Sequence, residues 1–221
     1  MPNTQETQSI TKAALKAALE LACDKPWSDL TLIEIAKHAG IAMSDLYSLA
    51  DKETLSDALE AWADEDMSAE AADMEDTPRE RLFDVIMRRF EKMEAYRKGI
   101  LSIMRVRDRS PARMANLLKA RRASAKWALS CAGLDNGAST SQAAKTIGIA
   151  WVIGKTERAW RKDESGDFAR TMATLDAELT LAEERLGRFE RFTGTAPKTA
   201  NTAKPEATSS PEAPPAESDE A

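Results

Sequence analysis

The stretch "TLIEIAKHAGIAMSDLY", residues 31–47, decides how the chain folds. Thr31 followed three residues later by Glu34 has the spacing of a capping box, in which each side chain satisfies the other residue's free backbone amide, so a helix starts there. Gly40 ends it, because glycine takes the left-handed conformation of a helix C-terminus without steric cost. Ile41 and Ala42 make the turn, and a short helix from about Met43 to Leu49 points Leu46 inward. Two helices joined by a glycine turn have the spacing of a helix-turn-helix, whose second helix enters the DNA major groove. Yet the stretch holds one Lys and no Arg. DNA affinity comes mainly from cations that neutralise phosphates, so motif and charge point in different directions.

Outward from this stretch, the chain reads as amphipathic helices with clear punctuation. Residues 10–22 place Ile10, Ala14, Ala17 and Leu21 on one face, with Leu15, Ala18, Leu19 and Ala22 beside them. Pro26 then pushes Lys25 out of the helical region and breaks the run. A helix from about Lys52 to Met67 leads into the acidic loop "EAADMED". Thr77 as cap, Pro78 at the first helical position and Glu80 three residues after the cap open the next helix. A shorter one follows near 99–107, and Ser110 with Pro111 repeats the cap signal for a long helix ending at "CAGLDNGAS". Two more are expected over about 141–163 and 167–191. The tail from Thr193 contains five of the nine prolines and no large apolar residue, so it cannot offset its ordering entropy. The expectation is an all-α chain: a disordered N-terminus (1–8), a helix-turn-helix head (9–55), a helical ligand-binding and dimerisation body (56–192) and a disordered tail (193–221).

Composition narrows the class. With 221 residues, 43% apolar and 31% charged, the chain can bury a real core. The N-terminus lacks a basic stretch followed by an apolar one, and the longest apolar run, "IGIAWVIG" (147–154), is far short of the roughly 20 residues that span a bilayer. A cytoplasmic protein is expected. Cys23 and Cys131 lie far apart among apolar neighbours and read as buried thiols. His38, the single His, has no spaced partner and reads as a surface or capping residue. There is no glycine-rich phosphate loop, no metal-ligand cluster and no nucleophile beside a His, so neither enzymatic activity nor a cofactor or metal is expected.

Charge is distributed unevenly. Residues 1–78 hold 5 Lys and no Arg against 17 Asp or Glu, a balance of −12. Residues 79–126 hold 15 Lys or Arg against 5 acids, a balance of +10, and the remainder carries −4. The basic segment is therefore not the helix-turn-helix. Its Arg-rich part, Arg105 to Arg122, reads first as a solvated face and second as a surface for an anionic membrane or a partner protein.

Taken in order, the three-helix start, "TLIEIAKHAGI", "LY" and a following Lys, then a larger helical body, resemble the TetR family of dimeric regulators. Gly40, Ile41, Leu46, Tyr47 and Lys52 fit that family's pattern. Ala42 stands where a small capping residue is usual, Ser44 where a second Gly is usual, Leu49-Ala50 replace an aromatic or His-Phe pair, and Lys52 comes one residue early. The body, over about 79–186, carries a second resemblance. The pieces "LSIM", "LLKARRASAKWALSCAG" and "KTERAWRKDESGDFARTMATLDAEL" look like the C-terminal domain of the lipid-binding accessory proteins of ubiquinone biosynthesis, which share the TetR-like fold without acting as DNA regulators. Both imply the same fold for most of residues 9–190 and leave two uses open: an operator-binding homodimer modulated by a small apolar ligand, or a lipid- or quinone-precursor-binding protein whose head is structural.

Candidate sites follow from these readings. For DNA they are Thr31, Lys37, Met43, Ser44, Tyr47, Ser48 and Lys52, with Asp45 placed unfavourably for phosphates. The aromatic and Met residues Phe83, Met87, Phe90, Trp127 and Trp151 recur at helical spacing. They are core or the lining of an apolar cavity. Ala143, Ile147, Ala150 and Gly154 make a stripe of mostly small residues, read as half of a dimer face or as ordinary helix packing.

Overall fold

The structure, a computed structural model, describes residues 4–137 and 139–193. Among them are nine α-helices and no strand: α1 Thr4–Asp24, α2 Leu32–Ala39, α3 Met43–Leu49, α4 Lys52–Asp64, α5 Pro78–Glu94, α6 Arg97–Arg107, α7 Pro111–Cys131, α8 Ser139–Trp160 and α9 Ala169–Thr193. Both capping boxes form: the side chains of Thr31 and Thr77 accept from the amides of Glu34 and Glu80, whose carboxylates accept in return. Gly40 closes α2 at φ 67°. Two expectations need correction. Helix α1 starts at Thr4, so residues 4–8 are helical rather than disordered, since no Pro or Gly lies between Thr4 and the apolar stripe to stop it. Ser110 precedes α7 but its hydroxyl makes no capping hydrogen bond; Pro111, which has no amide to satisfy, supplies the start. The tail beyond Thr193 lies outside the described residues.

Helices α1 to α3 form the head and α4 to α9 the body, joined by one continuous core. Leu15, Leu19, Ile35 and Leu46 of the head share it with Leu55, Leu59, Ile86, Phe90 and Ile103 of the body. Helix α1 packs along α6 as well as against α2 and α4. The contact with α6 is close because residue 99 is Gly: a Cβ there would lie inside the van der Waals shell of the Leu19 carbonyl oxygen and 3.3 Å from the Ala22 Cβ. Below it, the backbone amide of buried Trp27 donates to the Ser102 hydroxyl at 2.8 Å. Head orientation is thereby set by α6.

The charge asymmetry resolves inside the molecule. Arg88 pairs with Glu70 at 3.2 Å, Lys92 with Glu65 at 3.0 Å and Asp66 at 2.8 Å, and Arg113 with Glu53 at 2.6 Å. The deepest pairs are fully enclosed. Arg89 of α5, 1% exposed, binds both Glu60 and Asp64 of α4, and Arg107 of α6 reaches Glu60 at 2.7 Å. On the other side Glu157 of α8 takes Arg121 of α7 and Arg161, the latter at 2.6 Å. Burial alone would raise the Glu60 carboxyl, but the guanidiniums of Arg89, Arg107 and Arg121 outweigh it and hold its pKa at about 2. The stretch expected to be a solvated face is therefore divided: Arg107, Arg113 and Arg121 are used internally, while Arg105, Arg109 and Arg122 stay exposed. The basic segment compensates the acidic one because α5, α6 and α7 pack on α4.

Candidate nucleic-acid interface

The exposed edge of the head is built by α2 and α3. Leu46 is fully buried, which fixes the rotation of α3 and leaves Ser44, Asp45, Tyr47 and Ser48 outside. Tyr47 is 75% exposed and Ile33 of α2 is 63% exposed, large side chains with no intramolecular cover. Met43 is only half outside, since part of it packs on the core. Ser48 donates to the Asp45 carbonyl at 2.8 Å. Thr31 stands at the start of α2 with its hydroxyl held by Glu34 at 2.7 Å, and hydrogen bonds from Lys25 and Thr31 keep that carboxyl ionised, its pKa at about 2. Lys37, the single Lys or Arg of α2 and α3, is exposed. His38 beside it meets Glu20 of α1 at 2.8 Å.

Lys52 has a different role from the one its position suggested. Its ammonium lies 4.7 Å from the centre of the Trp27 ring and donates to the carbonyls of Trp27 and Leu30, the latter at 2.7 Å. Burial lowers its pKa, partly offset by Asp29. These bonds tie the start of α4 to the loop before α2, so the ammonium is spent on holding the head together. Sequence could not separate this from a phosphate contact, because either use needs a cation after α3.

The five residues expected around an apolar ligand do not line one cavity. Met87 and Phe90 are core, and Phe90 stacks near Trp160 at a ring separation of 6.4 Å. Trp127 lies at the surface with its indole N–H donating to the Asp64 carbonyl at 3.2 Å. Trp151, 53% exposed, projects from α8 with Lys155 over its ring. Of the five, Phe83 alone enters a groove, of about 570 Å³, between α5 and α9; Met172 and Ala173 complete its apolar floor, and Asp76, Glu80, Asp84 and the Arg79–Asp176 pair rim it. Inside the body, α4, α5 and α6 meet through the buried ion pairs of Glu60 and Asp64 with Arg89 and Arg107.

The small-residue stripe of α8 also divides. Gly154 is buried, and a Cβ there would strike the Arg121 guanidinium, so it serves the α7–α8 contact rather than an outer face. Ala150 is half-buried on the core. Ala143 and Ile147, the latter 65% exposed, remain outside. Trp151 continues their line at i+4 spacing and replaces Gly154 in it.

The "WRKDESGDF" segment proves to be a structural clamp. Trp160 is buried, its indole donates to Glu94 at 2.8 Å, and Arg97 stacks on it while binding the carbonyls of Trp160 and Asp163 at 2.6 Å. Burial would raise the Asp163 carboxyl, but hydrogen bonds from Ser165 and Thr171 bring its pKa down to about 2. The spacing of these residues thus locks the α8–α9 turn onto the α5–α6 corner.

No family model and no curated protein matches the sequence. Solved structures do match the fold. The TetR transcriptional regulator from Nitrosomonas europaea ATCC 19718 superposes with a TM-score of 0.64 at 22% identity, over 79% of this chain and 98% of that one. A TetR transcriptional regulator from Rhodococcus sp. RHA1 gives 0.62 at 17% identity, over 84% and 99%. The chain therefore has the fold of TetR regulators.

Proposed function

We propose that the chain is a DNA-binding transcriptional regulator that acts as a homodimer, with α3 reading the major groove. The observation that carries this reading is the outer face of α3. A residue as large as Tyr47 stands free beside Ser44 and Ser48, on a helix held by Leu46 and by the Lys52 staple, as direct readout of base edges needs. The first turn of α2, where the Thr31–Glu34 capping box leaves the amides of Leu32 and Ile33, supplies the backbone donors for a phosphate, with Thr31 beside them, and Lys37 is the one Lys or Arg side chain of the two helices. Dimerisation doubles these contacts. Its face is proposed along Ala143, Ile147 and Trp151 of α8. A small apolar effector would enter the α5–α9 groove over Phe83 and Met172.

DNA binding is tested by titrating salt against the dimer on its own upstream DNA. The logarithm of affinity should fall by about 0.9 per logarithm of salt for each phosphate neutralised. Lys37→Ala should weaken binding to all sequences and flatten that slope, Tyr47→Ala should change sequence preference, and Asp45→Lys should strengthen binding. Lys52→Met should instead lower the melting temperature of the head. Absence of salt-sensitive, sequence-selective binding to genomic fragments at low ionic strength would sink the proposal.

Assembly has its own test. Ile147→Arg places a charge in the proposed dimer face without touching the core, so light scattering should report a monomer of unchanged helicity. A dimer mass after that change removes α8 from the interface.

One observation favours a second reading, the lipid- or quinone-precursor-binding protein with a structural head. The Lys52 ammonium is consumed by backbone carbonyls, which leaves Lys37 to offset Asp45. In that case none of the head substitutions alters DNA binding.

A further inference from the structure

Helix α7 differs from its neighbours in charge. Its 21 residues include no Asp or Glu. Arg113 and Arg121 point inward and are paired with Glu53 and Glu157. Lys119, Arg122 and Lys126 are exposed, and among the described residues no hydrogen bond or ion pair ties them. Beside them, one turn toward the N-terminus and at one edge of the same arc, stand Met114, 41% exposed, and Leu118, 65% exposed. At 100° per residue, positions 114, 118, 122, 126 and 119 fall within a sector of roughly 140°. The result is a basic–apolar strip along a helix whose other side is anchored to α4 and α8.

We propose that this strip of α7 docks on an anionic phospholipid surface. Charge complementarity favours that occupant. Three long cationic side chains can reach head-group phosphates while Met114 and Leu118 enter the acyl boundary, the arrangement of an interfacial helix. Nucleic acid would satisfy the cations but has no use for an exposed Leu and Met flanking them. None of the described helices is long and apolar enough to cross a membrane, so the association is peripheral and reversible. The inference rests on α7 alone and on neither reading of the head.

The test is co-flotation of the full chain with vesicles of phosphatidylcholine containing 30% phosphatidylserine, a loading of about a third chosen to give a strong surface potential, and with pure phosphatidylcholine. Binding is expected to the anionic vesicles only, and to fall as salt is raised. Each cation removed among Lys119→Ala, Arg122→Ala and Lys126→Ala should cut partitioning about fivefold, as about 1 kcal/mol per cation implies. Leu118→Ser should reduce it without changing the salt dependence, and circular dichroism checks that each variant keeps its helicity. Equal binding to both vesicle types, no flotation at low salt, or anionic binding unmoved by the triple substitution would each overturn the proposal. So would loss of heparin or duplex DNA binding in the triple variant with vesicle binding intact, which would assign the strip to a polyanion.

Discussion

Gly99→Ala is expected to destabilise the chain by about 3 kcal/mol, the upper part of the range for forcing atoms into a packed interior. The added methyl meets the carbonyl oxygen of Leu19, a backbone atom of α1 that cannot turn aside as a side chain would. For a chain of this size, such a loss lowers the melting temperature by roughly 10 °C. Gly148→Ala is the matched control: a Cβ there has no neighbour within 4 Å, so the better helix propensity of alanine should leave stability unchanged or up to about 1 kcal/mol higher. Melting curves of the two variants in parallel decide it. Equal melting temperatures would mean that α1 and α6 are not packed as described.

Arg89→Met should be as damaging, for an electrostatic reason. Arg89 satisfies Glu60 and Asp64 at once, and all three are buried. Removing one partner from an enclosed pair leaves an uncompensated charge, which costs about 3–5 kcal/mol, whereas replacing a whole set by apolar residues is often neutral. Glu60→Leu, Asp64→Leu and Arg107→Met added to Arg89→Met replace the whole set, since Arg107 also pairs with Glu60, and should therefore recover part of the loss; denaturant midpoints measure both steps. The same cluster sets the acid response. The pKa of Glu60 is depressed from 4.5 in the unfolded chain to about 2 in the fold. A depressed carboxyl stabilises the fold above its unfolded pKa, so that contribution is complete above about pH 4.5 and is lost between about pH 4.5 and 2. Urea midpoints measured across that interval should fall, and a flat profile would contradict the ionised cluster.

The helices were legible in the sequence because their signals are local. Thr31 with Glu34, Thr77 with Glu80, Pro78, Pro111 and Gly40 each act within one turn of chain, and each starts or stops a helix in the structure. The sites were less legible because they depend on long-range pairing. A surface Arg and a buried one look alike along the sequence, so nothing separated Arg122 from Arg89. Trp127 and Trp151 read as core or cavity lining from their helical period, which repeats every turn on the outside of a helix as it does on the inside. For the same reason the stripe of Gly154 reads equally as a dimer face or as ordinary helix packing, and at Gly154 it turns inward toward Arg121. One long-range signal does lie in the sequence: opposite charge imbalances in two successive segments, −12 and +10, are the mark of segments that pair with each other.

That pairing also has a direction in time. Synthesis runs from the N-terminus at about 5–20 residues per second, so the acidic 78 residues emerge seconds before the cations of residues 79–126 that neutralise them. During that interval Glu53, Glu60, Asp64 and Glu70 lack the arginines that pair with them in the fold, and mutual repulsion keeps the nascent segment expanded. Helix α4 can meet α1 early, but its buried carboxylates stay unpaired until α5 delivers Arg89. The α1–α3 head, first to be made, thus gains its footing on α6 only once nearly half of the chain exists.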